Sequence, residues 1–452
     1  MPRISTSKNV RSFCLRVSRS SAPVVLILLG LAWFSLCVGL VAVQAVSLGT
    51  LNTPPPAPPA EVSYKKGVAS LSTGDLQEAE EAFKLSQRQD ARYTLALVGL
   101  ADVALRKKDL KAAEGYLRQA VARTPDDGTI LMAWGRFLHS QRRFKEAEEA
   151  FKQAAARTPQ SSIPLISLGR LYLSGLHQPQ EAVQIYRRVA ERQPYDANVR
   201  QALGQSLAAT GQLEAATAEL IEAGRLAPDN PTSFYELGRV YLARRDRDRA
   251  LEAFDAALRV TPSFPPAHIA KGEIFERDQH DERALTEYEA ALKGAPRSAL
   301  VHLKIGQIHE RHRRMPEAEQ AYLKAIDTNP KLAIAYNNLA MLLVERNERL
   351  DQALEWARTS IKLSPNVPVF LDTVGWVYRA RGDHQQALAA LRKASGMKPA
   401  YPGILYHLGI LYAERGQRKD AVKAFSEALS LKQDFPQAAD TQARLNALQR
   451  AS

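Results

Sequence analysis

The chain has 452 residues, a formal net charge of +13, 7% aromatic residues and two cysteines. No stretch reads as strand-rich, and no basic run is interleaved with aromatics, which argues against a β-domain and against nucleic-acid binding. Both cysteines, Cys14 and Cys37, lie near the N-terminus, so the rest of the chain has no disulfide and no Cys-based zinc site to build.

Residues 1–21 form a basic leader with Arg3, Lys8, Arg11, Arg16 and Arg19 and no acid, and the first acid of the chain is Glu61. The remaining +8 comes from interspersed Lys, Arg, Asp and Glu, the pattern of solvated helical faces. Residues 22–46 follow, and Val24 to Val46 is uncharged and almost wholly apolar. A helix of that length crosses a hydrocarbon core of about 30 Å, and it exceeds the apolar core of about 7–15 residues found in cleavable signals. The segment therefore predicts a transmembrane signal anchor; cleavage near Ala45, giving a secreted protein, is the alternative. Leu36 is too large for the residue that precedes a lipid-modified cysteine, so Cys37 does not fit a lipoprotein site.

Positive charge stays on the cytoplasmic side of a membrane. The leader thus predicts a single-pass protein of a bacterial inner membrane, with everything after Val46 on the periplasmic side. An acid-free, Arg- and Ser-rich leader also suits a mitochondrial protein, the second alternative. Residues 47–59 hold five prolines between Pro54 and Pro59, which favour an extended polyproline II spacer.

From residue 60 to residue 435 one period governs the sequence. Units begin at 60, 94, 128, 162, 197, 231, 265, 299, 333, 368 and 402, and nine of the eleven are 34 residues long. The twentieth position, or the twenty-first in the two longer units, is Ala throughout, from Ala79 to Ala421. The eighth is Gly in nine units and Ala at Ala101 and Ala340. Proline closes nine units, from Pro125 to Pro399, where its ring ends a helix. In the clearest copy Phe234, Leu237, Gly238, Tyr241, Ala250, Phe254 and Pro262 fall in order.

This pattern resembles the tetratricopeptide-repeat (TPR) family. The resemblance implies an all-α TPR solenoid, a right-handed superhelix of about eleven helix pairs, with an N-terminal transmembrane helix added by the anchor. The two longer units carry their extra residue at 174–179 and 347–350, both expected to lie between helices. Residues 436–452 predict a C-terminal cap helix, with Ala438, Thr441, Leu445 and Leu448 as its apolar stripe.

Catalytic patterns are missing: no phosphate-binding Gly loop, no nucleophile elbow and no zinc-protease motif. The glycines are read as helix-packing positions, no cofactor is implied, and no catalytic or metal residue is assigned. The nearest constellation is His302, His309 and His312 on one side of a helix, which would suit a metal-dependent enzyme as the last-ranked reading. His302 and His309 fall where the repeat places packing aromatics, so structural histidine is the expectation.

In the family, the residue after the eighth position faces a concave groove. Here that series includes Arg136, Arg170, Gln205, Arg239, Met341, Trp376 and Ile410. With Asp372 at the rim and Tyr406 nearby, it predicts a partner-binding groove with a basic middle and an apolar end, suited to proteins or peptides. Packing between repeats is the competing reading for Trp376. None of the slots that carry the Lys of a chaperone-binding carboxylate clamp is Lys, and only Asn338 fits the Asn ladder of the sugar-transferase superhelix. The strings Leu371-Asp372-Thr373-Val374-Gly375-Trp376 and Tyr406-His407-Leu408-Gly409 resemble bacterial TPR proteins linked to exopolysaccharide and exosortase export. The expectation is a membrane-anchored scaffold of an envelope export or assembly system; a regulatory adaptor that delivers one client to a membrane enzyme is the alternative.

Overall fold

A repeat that puts a small residue at two fixed positions lets two helices approach closely there. The computed structural model describes residues 57–432 and 434–450, and it shows eleven such helix pairs followed by one further helix. No strand occurs among the described residues. First helices begin at Pro59, Leu95, Gly128, Ile163, Ala197, Pro231, Pro265, Ala299, Ala333, Pro368 and Pro402, within one residue of the starts set by the sequence period. Each helix packs on its partner within the repeat, and each second helix packs on the first helix of the next repeat. The core is therefore a series of linked apolar clusters that runs the length of the array.

The close approach has a specific geometry. A Cβ placed on Gly238 would sit 2.5 Å from the Phe254 ring, and one on Gly306 would sit 2.5 Å from Tyr322. Phe254, Tyr322 and the equivalent Phe83, Tyr288 and Phe425 are fully buried. The aromatic ring of the second helix thus fills the space that the missing side chain of the first helix leaves.

Four glycines serve another purpose. Gly74, Gly211, Gly382 and Gly416 have φ between 70° and 88° and make the turn between the two helices of a repeat. Lys108, Arg142, Arg245, Gln279 and Arg313 adopt the same left-handed conformation at the matching position, with φ between 57° and 62°. The reading of the glycines as packing residues therefore holds for the eighth position and fails for these four. A turn that reverses the chain after a helix requires positive φ there whatever residue is present.

Both extra residues lie where a helix gives way to a turn, but the first starts earlier than expected. The first helix of repeat four, Ile163–Arg170, continues as a π-helical turn, Leu171–Gly175. The Leu176 amide donates to the Leu171 carbonyl at 2.9 Å and the Gln178 amide to that of Tyr172 at 2.7 Å. The additional residue is thus absorbed by winding the end of the helix more widely. In repeat nine, Asn347 (φ 52°) and Arg349 (φ 46°) take it up in the turn itself.

The final helix, Ala438–Arg450, buries Thr441 and Leu445 and half-buries Leu448 against the last repeats, as its stripe predicts. The leader, the apolar segment at 22–46 and most of the Pro-rich stretch lie outside the described residues. Among the described residues no helix is long and apolar enough to cross a membrane.

Candidate protein-interaction surface

The row that follows the close-approach position divides into two chemically different halves. In the middle of the array Arg136 and Arg170 are exposed, and neither makes a salt bridge among the described residues. Arg239 is also exposed, but its guanidinium donates to Glu236 at 2.9 Å and lies 5.9 Å from the Tyr235 ring centroid. Asp102, one repeat before Arg136, has its carboxyl pushed up by burial, with the charges of Arg136 and Arg106 opposing the shift.

Between repeats four and six this row borders a cavity of about 380 Å³. Leu173 of the π-turn, Leu213, Leu220 and Val240 give it apolar walls, and Ala208, Ala209 and Ala243 stand at its mouth beside Gln205 and Arg239. The sequence reading missed it. Its signal is the run of small residues where repeats seven to nine carry Arg277, Arg311 and Glu345, together with an extra residue in repeat four.

The C-terminal half is more tightly packed than an open apolar strip. Met341 is half-buried. Ile410 is 7% exposed and belongs to the core of the last repeats. Asp372 is 5% exposed, so it lies beneath the surface and away from any rim; its carboxylate accepts from His407 Nδ1 at 2.8 Å. Trp376 is half-buried. Its ring stacks on His407 at 4.0 Å between centroids, and the Arg379 guanidinium lies 4.3 Å from its own. Arg379 in turn pairs with Glu414. The Tyr406 hydroxyl donates to Asp440 of the last helix at 2.7 Å, and burial followed by that bond raises its pKa. Asp372, Trp376 and His407 are thus joined into one contact between repeats ten and eleven. The sequence placed Asp372 at the rim of the groove because it could not show that His407, 35 residues away, folds over that position.

The histidines do not assemble. His302 Nε2 faces the Pro296 carbonyl at 3.1 Å, His312 Nε2 faces Asp281 at 2.8 Å, and His309 Nδ1 is buried without a partner. Burial, then the charge of Arg314, lowers the His309 pKa. Among the described residues no group of three His, Cys, Asp or Glu side chains could hold a metal ion. The metal-enzyme reading of this face is corrected accordingly: His302 and His312 are aimed at two different neighbours, and the buried His309 Nδ1 has no partner.

The surface is that of an all-helical repeat solenoid. Two tetratricopeptide-repeat models match residues 96–162 and 174–237, and a model described as the cilia and flagella-associated protein 70 C-terminal domain, a TPR domain, matches residues 233–448. The chain belongs to the tetratricopeptide-repeat family, whose arrays are protein-interaction modules. No curated protein matches by sequence. Similar solved structures include yeast Tom70, with 14% identity over 87% of this chain and 96% of that one at a TM-score of 0.38. YrrB, titled a TPR protein with an unusual peptide-binding site, has 24% identity over 43% and 99% at 0.37. PilF of Pseudomonas aeruginosa has 22% identity over 47% and 97% at 0.40.

Proposed function

We propose that this protein is a membrane-anchored extracytoplasmic scaffold that holds partners of a bacterial envelope export or assembly system. The reading is carried by one juxtaposition: an acid-free basic leader and a long apolar segment lead, through a stiff Pro-rich spacer, into eleven interaction repeats. Such an order ties a binding surface to a bilayer. The likeness of the strings around Trp376 and His407 to export-linked TPR proteins supports the choice of pathway. Mixed surface charge and the absence of a catalytic motif favour binding over chemistry.

Cross-linking of the full-length protein in membranes, followed by identification of what it captures, tests the proposal. Several envelope proteins recovered together support a scaffold. Recovery of a single protease or synthase replaces it with an adaptor. A reporter fused after Ser452 that is active only in the cytoplasm would overturn the topology.

A further inference from the structure

The cavity between repeats four and six has features that its neighbours lack. Its floor is aliphatic, from Leu213 and Leu220, and Leu173 forms a wall because the π-turn winds the end of repeat four with an extra residue. Its mouth is open because Ala209 and Ala243 are small and exposed where repeats seven to nine carry the long charged side chains of Arg277, Arg311 and Glu345. Arg170 is exposed at the eighth-plus-one position of repeat four, and Arg136 holds the same position one repeat earlier. Neither guanidinium has an acid bound to it, whereas Arg239 on the far side is already held by Glu236. Arg170 stands three residues before Leu173 where the helix runs into the π-turn, and an exposed guanidinium so close to an aliphatic hole is complementary to a carboxylate that neighbours an aliphatic side chain.

We propose that this cavity is the docking site for an acidic peptide segment of a partner, which inserts one aliphatic side chain between Leu173 and Leu220 and sets its carboxylates on Arg170 and Arg136. This rests on the reading of the chain as an interaction scaffold and names the chemistry its middle repeats accept. The aliphatic side chain supplies the buried anchor, and the arginines set direction and the rate of encounter. At the far end Glu236 already occupies the Arg239 guanidinium, so the acidic side of the peptide lies toward the arginines of repeats three and four.

The test is selection of random dodecapeptides from a display library on the full-length protein in detergent. The selected peptides are then titrated against wild type, Ala209→Trp and Arg170→Glu, each variant checked by thermal melting. Ala243→Trp fills the same mouth from the next first helix and serves if Ala209→Trp alters melting. The expected result is a consensus with an aliphatic residue flanked by carboxylates. Affinity should fall about tenfold or more in the filling variant, and by a comparable factor, with weaker salt dependence, in Arg170→Glu. A basic or carboxylate-free consensus, or binding unchanged in both variants, overturns the inference and leaves the scaffold reading standing. Failure to select any peptide counts against both.

Discussion

Trp376 sits between His407 and Arg379, and the consequences differ for each. Its indole face is covered by His407 on one repeat and by Arg379 on its own helix, and it remains half-buried. Truncation to Ala removes this packing but opens no closed cavity, so Trp376→Ala should lower stability by about 2 kcal/mol, less than for a fully buried Trp. His407→Ala should be worse, about 3 kcal/mol, because it strands the buried Asp372 carboxylate without its donor. Denaturant titration of the two variants checks the order; a Trp376→Ala protein as stable as wild type would mean the ring is free surface.

A second residue-scale expectation concerns pH. Burial holds the His309 pKa below its ordinary value of 6.5, so the folded state binds fewer protons there than the unfolded chain. Stability from this site is present above pH 6.5 and is lost as pH falls toward the lowered folded value. Glu310 next to it works in the opposite sense: burial raises its carboxyl pKa above 4.5, so the neutral form suits the fold and acidification favours it. His309→Phe should flatten the decline in melting temperature between about pH 7 and about pH 5, and Glu310→Gln should steepen it. Parallel curves for all three proteins would remove both assignments.

At the scale of the helix and its turn, the left-handed position is the most exposed to test. Lys108, Arg142 and Arg245 adopt positive φ with a Cβ in place, a conformation that disfavours L-residues by about 1 kcal/mol. Lys108→Gly and Arg245→Gly should therefore be neutral to stabilising by up to about 1 kcal/mol, while Gly382→Ala, at φ 81°, should destabilise by a similar amount. Thermal melting of the three variants decides. The same turns show why much of the fold was legible in the sequence. Gly238 against Phe254 and the Ala at the twentieth position are forced by helix contact, so they recur at a fixed period that can be read directly. The π-turn was not legible: Leu171-Tyr172-Leu173-Ser174-Gly175 has the composition of any helix end, and only the hydrogen-bond register distinguishes it. For the candidate surface the limit was of another kind. Arg136 and Arg170 are exposed because nothing covers them, but the burial of Asp372 is decided by the next repeat, through His407, which its own helix does not encode.

Over the whole array each repeat touches only its neighbours, so stability is a sum of local terms and interfaces, with no single global core. The end of such an array is its weakest point unless its last apolar face is covered. Here the cap helix does this: Thr441 and Leu445 are buried on it, Asp440 accepts from Tyr406, and Arg418 of repeat eleven donates to the Leu448 carbonyl. Deleting residues 436–452 would expose part of this surface and remove both polar ties. The loss should be local. Amide hydrogen exchange should accelerate in Pro402–Glu414 and Arg418–Leu431, more weakly in repeat ten through the Arg379–Glu414 pair, and not at all in repeats one to eight. The main melting transition should persist with a small early step ahead of it, because the repeats beyond the frayed end keep both their neighbours. Uniform acceleration across all eleven repeats would show instead that the array unfolds as one cooperative unit, and that the cap holds all of it together.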